Sequence, residues 1–335
     1  MSKKFTRTFA LALTAAALSL NPVSASAFDI PAPPSVPGDV LNTPILGNTP
    51  TGNGKGTPVI IIPEIAPIPT SPVPGFEAIS SFRDKLNSIN ADTLRSVSPI
   101  EIGKMLASDI DKLSPEAVAG FTADQVGKLK PAALSSLSVE QFDAIPSSSF
   151  TKFTAVQIDK LPTALLKELD VTDMNQLPAA AVKSLSAAQF KALPLATAAG
   201  LTESQVSAIT GPVFRTISAT YIKSMTPEAF AGIVPAQFRA MVPAQLRSLS
   251  ADQLGALDPN VVKGLLPTQV SSLLPASIAG FTPDQVSELK TNALKKFSAK
   301  QLEALTPDAA SALTPGQVSS LSANQKKAVE NAKLP

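Results

Sequence analysis

Phe281-Thr282-Pro283-Asp284-Gln285-Val286 decides the fold of this chain, because four helix-start signals meet within six residues. Thr282 followed three residues later by Gln285 is a capping box. In it the hydroxyl accepts the N–H of the third helical residue, and the Gln side chain returns to the cap's own N–H. Pro283 falls on the first helical position, where its missing donor costs nothing. Phe281 and Val286 are spaced as the two members of a hydrophobic staple, one before the cap and one in the following turn.

Outward from this stretch the same grammar returns every eight residues. In rows of eight from Ile89, the first column runs Ile89, Val97, Met105, Leu113, Phe121, Leu129 and on to Leu313 and Leu321, and all thirty positions are large and apolar. Column six is apolar too and departs from large residues only at Ala198, Ala310 and Lys326. Column two is mostly Ser or Thr, column three holds twelve prolines such as Pro115, Pro227 and Pro315, and Gln recurs in column five. Each octad is therefore predicted to be a helix of about one and a half turns, stopped where the next cap begins. Repeated prolines exclude one continuous helix. The apolar spacing of five then three is not the alternation a strand requires, which disfavours a β-solenoid.

A longer period lies over the octad. Gln stands at 125, 141, 157, 189, 205, 237, 253, 269, 285, 301 and 317, in steps of 16, with Asp173 and Tyr221 filling the two gaps. Intervening octads carry residues such as Ala117, Ala133, Ser149 and Ala181 in the same column. This predicts a 16-residue coil of two unlike helices. About fifteen such coils, stacked at roughly 8–10 Å, would make a rod on the order of 120–150 Å long. The predicted fold class is all-α: an elongated solenoid of very short capped helices over residues 77–335, with octads at 89–328. Phe82, Leu86 and Ile89 at helical spacing predict an N-terminal cap helix over 77–88. Lys326, Lys327, Glu330 and Lys333 predict a polar closing cap over 321–335.

Two segments precede the repeat. Lys3, Lys4 and Arg7, the apolar run Phe9–Leu20, and Ala25-Ser26-Ala27 read as a signal peptide over residues 1–27, cleaved before Phe28. Cleavage removes three of the 28 cations and none of the 26 anions, leaving one net negative charge. From Phe28 to Gly75 there are 12 prolines, and residues 28–76 are predicted to form an extended spacer. Its one strand-prone stretch, Val59-Ile60-Ile61-Ile62, is a candidate docking strand, but Pro58 and Pro63 close it off and favour an apolar stretch guarded against aggregation.

Composition narrows the function. The chain has no His and no Cys, which excludes a Ser-His-Asp triad, a cysteine nucleophile, a His or Cys metal site and a disulfide. There is no Trp and one Tyr, so few platforms exist for stacking bases. No Walker loop, H-E-x-x-H or EF-hand spacing occurs. Leu305-Thr306-Pro307-Asp308 and the 281–286 stretch resemble the opening of the repeat in TAL effectors, the DNA-binding helical arrays. The likeness covers about six residues of a far shorter unit that has no base-reading loop, and implies only a shared way of starting helices.

Three surface features are candidates for binding. The Gln series could present amides to glycans or peptides, but capping accounts for its spacing. Column seven is basic from Lys183 to Lys263, with Lys183, Lys191, Arg215, Lys223, Arg239, Arg247 and Lys263, a candidate strip for anionic wall polymers. The 16-residue phase divides these seven between the two helix types, which favours an ordinary solvated surface. Asp111, Asp143 and Asp159 share the column 16 or 32 residues apart and could form a stacked carboxylate row, expected to lie in water. No catalytic, metal or cofactor residue is predicted. The expected protein is an exported, bacterial-type, non-enzymatic scaffold at the cell surface, in the periplasm or outside the cell. Its expected partner is an extracellular protein or a wall or glycan polymer, not nucleic acid. The alternative is a secreted small-ligand or ice-binding protein that uses a repetitive face, although the hydroxyls such a face would need are already engaged as caps.

Overall fold

The computed structural model describes residues 82–334. The expected signal peptide, the spacer with Val59–Ile62, and residues 77–81 of the N-terminal cap lie outside the described residues. Among the described residues all regular structure is helical. From Ala91 to Ser319 each octad forms one helix of 4–6 residues. The twelve column-three prolines each open a helix, from Pro99–Ile102 to Pro315–Ser319.

Pro283–Glu288 shows how one octad is made. Gln285 N–H donates to the Thr282 hydroxyl at 3.3 Å, and Thr282 N–H donates to Gln285 Oε1 at 3.0 Å, closing the capping box. The helix stops because Leu289 takes an extended conformation (φ −59°, ψ 127°), its N–H reaching back only to Val286 O at 3.1 Å. Extended backbone at columns one and two turns the chain and aims the column-one side chain inward. Every column-one residue but Val97 is buried, as is every column-six residue as far as Ala310. Two octads depart from this form: Ser147–Lys152 and Leu195–Gly200 are 3-10 helices that follow Pro146 and Pro194 in the cap column. In both, the proline carbonyl takes the third N–H, from Ser149 at 2.8 Å and from Thr197 at 3.1 Å, a bond that the α-helices after Pro162 and Pro178 also make.

Packing contradicts the 16-residue coil. Pro99–Ile102 lies on Ala123–Lys128, which lies on Ser147–Lys152; Ala155–Lys160 lies on Ala179–Lys183, which lies on Glu203–Ala208. The offset is 24 residues, three octads, and it persists to Ala299–Glu303 against Ala323–Ala332. One turn of the chain therefore holds three short helices, one per side. The thirty octads form three parallel stacks, and each helix touches only near neighbours in sequence, the arrangement of a repeat whose core exists only between coils. Approach along the stacks is close. A Cβ on Gly120, Gly200, Gly232 or Gly280 would overlap the backbone of Ala91, Val171, Glu203 or Ala251 on the preceding coil.

Helices this short leave most of their terminal carbonyls without an intrahelical partner. The Gln side chains answer that need. Gln285 Nε2 donates to Leu254 O at 2.9 Å and to Leu257 O at 2.6 Å, where an earlier helix ends and its next octad begins. Gln157 does the same to Val126 O and Leu129 O, each at 2.8 Å, and Gln205 to Met174 O and Leu177 O. Each amide thus caps its own helix with its oxygen and joins the preceding coil with its nitrogen. Shorter residues in the same column sometimes make half of this link: Ser149 Oγ reaches Phe121 O at 2.8 Å and Ser277 Oγ reaches Leu249 O at 2.6 Å.

Both ends are closed. Leu86 is buried beside the partly buried Phe82, and Arg83 donates to Lys104 O at 3.0 Å and pairs with Asp109 at 3.3 Å. At the other end Ala323–Ala332 runs on for 10 residues with Ala328, Val329 and Ala332 buried and Lys326 exposed. Asn331 Nδ2 bonds Glu303 Oε1 at 3.0 Å, fastening this helix to the coil before it.

Candidate binding face

The 24-residue offset regroups the column-seven cations. Lys183, Lys191, Arg215, Lys223, Arg239, Arg247 and Lys263 are all exposed. Lys191, Arg215, Arg239 and Lys263 are each 24 residues apart and so fall on one stack. Their helices, Ala187–Ala192, Gly211–Phe214, Pro235–Ala240 and Pro259–Lys263, lie on one another in that order. Thr163–Leu166 packs below Ala187–Ala192, and the residue after it, exposed Lys167, adds a fifth cation at the same spacing. Lys223 and Arg247 fall on a second stack and Lys183 on the third. The seven remain divided between Gln-bearing and Gln-free octads, but each stack contains both kinds, so four of the seven share one side of the repeat, with Lys167 as a further member that a 16-residue phase conceals.

Column seven is the end of each short helix, where the side chain leaves the core and a cation complements the terminal carbonyls. Lys263 Nζ pairs with Glu288 on the next coil at 2.8 Å, which shows how far the side chain reaches. Arg239 Nε donates to Pro235 O at 3.2 Å, and its guanidinium lies over Gly264 of the following coil. Two cavities of about 300 Å³ each open at the corner where this stack meets the next. One places Lys191 beside an apolar floor that includes Phe190, Leu193, Ile217 and Tyr221. The other gathers Arg239, Lys263 and Lys290 with Asn260 and Asn292. Burial pushes the Tyr221 phenol well above its ordinary range, and its hydroxyl lies 2.8 Å from Thr197 Oγ1. That residue is a packing group in a column-five position.

The Gln series forms no ligand surface. Gln125, Gln157, Gln205, Gln237, Gln253 and Gln285 are at most 2% exposed, and both halves of each amide are bonded to backbone. The carboxylate row is not continuous either. Asp111 and Asp159 share a stack two coils apart, Asp143 is on another, and Asp159 pairs with Lys160 at 2.9 Å. Among the described residues no three acidic groups converge as a metal site would require, and no helix is long and apolar enough to cross a membrane. Comparison with protein-family models and with curated proteins gives no match.

Proposed function

We propose that this is an exported, non-enzymatic repeat protein, a cell-surface or extracellular scaffold that binds protein or polymer along the sides of an elongated solenoid. The carrying observation is that exposed side chains recur once per coil while the buried amides are engaged in joining the coils. A surface of that kind suits an extended or repeating ligand, because it offers the same group at regular intervals instead of converging unlike groups on one reacting atom. With three octads per turn the thirty octads make about ten coils, roughly 80–100 Å at ordinary helix separations, shorter than a 16-residue coil would give. The lead-in over residues 1–27 supports export, and the proline-rich stretch supports a spacer that holds the repeat away from its attachment.

The test combines location with binding. Cell fractionation with mass spectrometry of the N-terminus is expected to place a chain beginning at Phe28 outside the cytoplasm, and that chain should be retained by isolated surface fractions. A cytoplasmic product with residues 1–27 intact, or one that no surface fraction retains, would remove this reading.

A further inference from the structure

We propose that Lys167, Lys191, Arg215, Arg239 and Lys263 form a single-file ladder that binds a linear anionic glycan laid along one stack of the repeat. The inference rests on the binding-scaffold reading and names its ligand class. Five exposed cations, one per coil, follow each other on helices that are packed in sequence, so neighbouring charges are separated by roughly one helix spacing of 8–10 Å.

Local charge favours an anion from outside the protein. The excess lies in the middle of the ladder: residues 177–248 hold six cations and two anions, whereas the whole span 167–263 holds eight cations and seven anions. The two anions of the middle, Glu203 and Glu228, belong to octads of the stack that carries Lys183, not to those of the ladder. The octads of Lys191, Arg215 and Arg239 contain no carboxylate at all. Glu288 pairs with Lys263 from column eight of the next coil, and the equivalent position above the other four rungs is Ala192, Thr216, Ala240 or Gly264. Carboxylates occur only in the terminal octads of the ladder, where Glu168 follows Lys167 and Asp258 caps Asn260 N–H at 2.8 Å.

The spacing and the flanking residues select the polymer. Duplex DNA carries a charge about every 1.7 Å, far denser than one cation per coil, and gains little from a single file. Single strands depend on aromatic stacking, whereas the chain has no Trp and its Tyr221 is buried. A glycan with one acidic group per disaccharide has sparse charges on a chain of flat, hydroxyl-covered rings. Exposed residues between the rungs include the small, uncharged Ala188, Pro212 and Ala236, which lets rings approach the backbone closely there.

The experiment measures binding of hyaluronate, which has one carboxylate per disaccharide, to the purified full chain by fluorescence anisotropy. Two triple variants carry the same change of charge: Lys191→Glu with Arg215→Glu and Arg239→Glu on the ladder, and Lys183→Glu with Lys223→Glu and Arg247→Glu off it. The ladder variant is expected to bind at least tenfold more weakly, and the control to remain within about threefold of wild type. Raising salt from about 50 to about 200 mM should weaken wild-type binding severalfold by screening, because exposed charges act only over a Debye length that shortens as ionic strength rises. Should the Glu ladder variant lose its helical spectrum, the same three positions changed to Gln serve instead, with the same expected direction. Equal losses in the two variants, absence of hyaluronate binding by wild type, or tighter binding of oligothymidylate would each overturn the proposal. Retention on surface fractions that persists in the ladder variant would overturn the glycan ladder and leave the scaffold reading standing; loss of retention in wild type itself would remove both.

Discussion

Replacing Gln285 by Glu tests the link between coils with a change of one atom pair. Gln285 is 1% exposed and its nitrogen donates to Leu254 O and Leu257 O, while its oxygen accepts from Thr282 N–H. In the variant an ionised carboxylate oxygen faces two carbonyl oxygens. The lost donors and the uncompensated buried charge together cost about 3–5 kcal/mol at neutral pH. Protonation restores one donor, and the residual cost falls to about 1–2 kcal/mol. The folded state therefore raises the carboxyl pKa above the value of about 4.3 that it has in the unfolded chain. A raised carboxyl pKa means that the charge penalty is absent below about pH 4.3 and grows by about 1.4 kcal/mol per pH unit above it. Growth stops at the folded pKa, which a penalty of 2–3 kcal/mol places about two units higher, near pH 6 to 6.5. Urea unfolding followed by far-ultraviolet circular dichroism at pH 4, 5.5 and 7.5 measures this as the gap between variant and wild type at each pH. Gln285→Ala, which removes the donors without adding charge, should lose about 2–3 kcal/mol at all three. A Glu variant as stable as wild type at pH 7.5, or a gap that does not change with pH, would refute the role assigned to the amide nitrogen.

Two further outcomes follow from the packing of the stacks. Gly232→Ala puts a methyl group into the Glu203 backbone and should cost about 1–3 kcal/mol, whereas Gly316→Ala, in open space within a helix, should be neutral or stabilising by up to about 1 kcal/mol; equal melting temperatures would mean that the coils do not approach so closely. Deleting two octads from the middle of the repeat keeps long column-five residues opposite short ones across the stack, and deleting one or three reverses that order at the junction. Calorimetry should find the two-octad deletion the most stable of the three, and a three-octad deletion that melts higher would show that the alternation carries no packing energy.

The octad, its caps and its core columns were legible in the sequence because each is a local matter. Thr282, Pro283 and Gln285 act on one another within a single helical turn, so their spacing alone states the conformation. Phe281 and Val286 likewise show their inward direction through a staple six residues long. The cap-column prolines were less readable: Pro146 and Pro194 start 3-10 helices, yet Pro162 and Pro178 in the same column start α-helices.

How many octads complete a coil was decided only by the tertiary structure. That number depends on the angle at which successive helices turn at each corner, and the angle is set by side chains from coils that are 24 to 31 residues apart. The 16-residue Gln period is a consequence of this packing and not the coil itself. With three octads per turn, an odd-numbered octad rests on an even-numbered one, so alternating Gln with Ala or Ser along the chain sets a long side chain against a short one in most of the contacts of every stack. Gln157, between Ala133 below and Ala181 above, is one such case. The cations Lys167, Lys191, Arg215, Arg239 and Lys263 came together for the same reason: only the corner angle places residues 24 apart on one side, and no interaction within a single octad determines it.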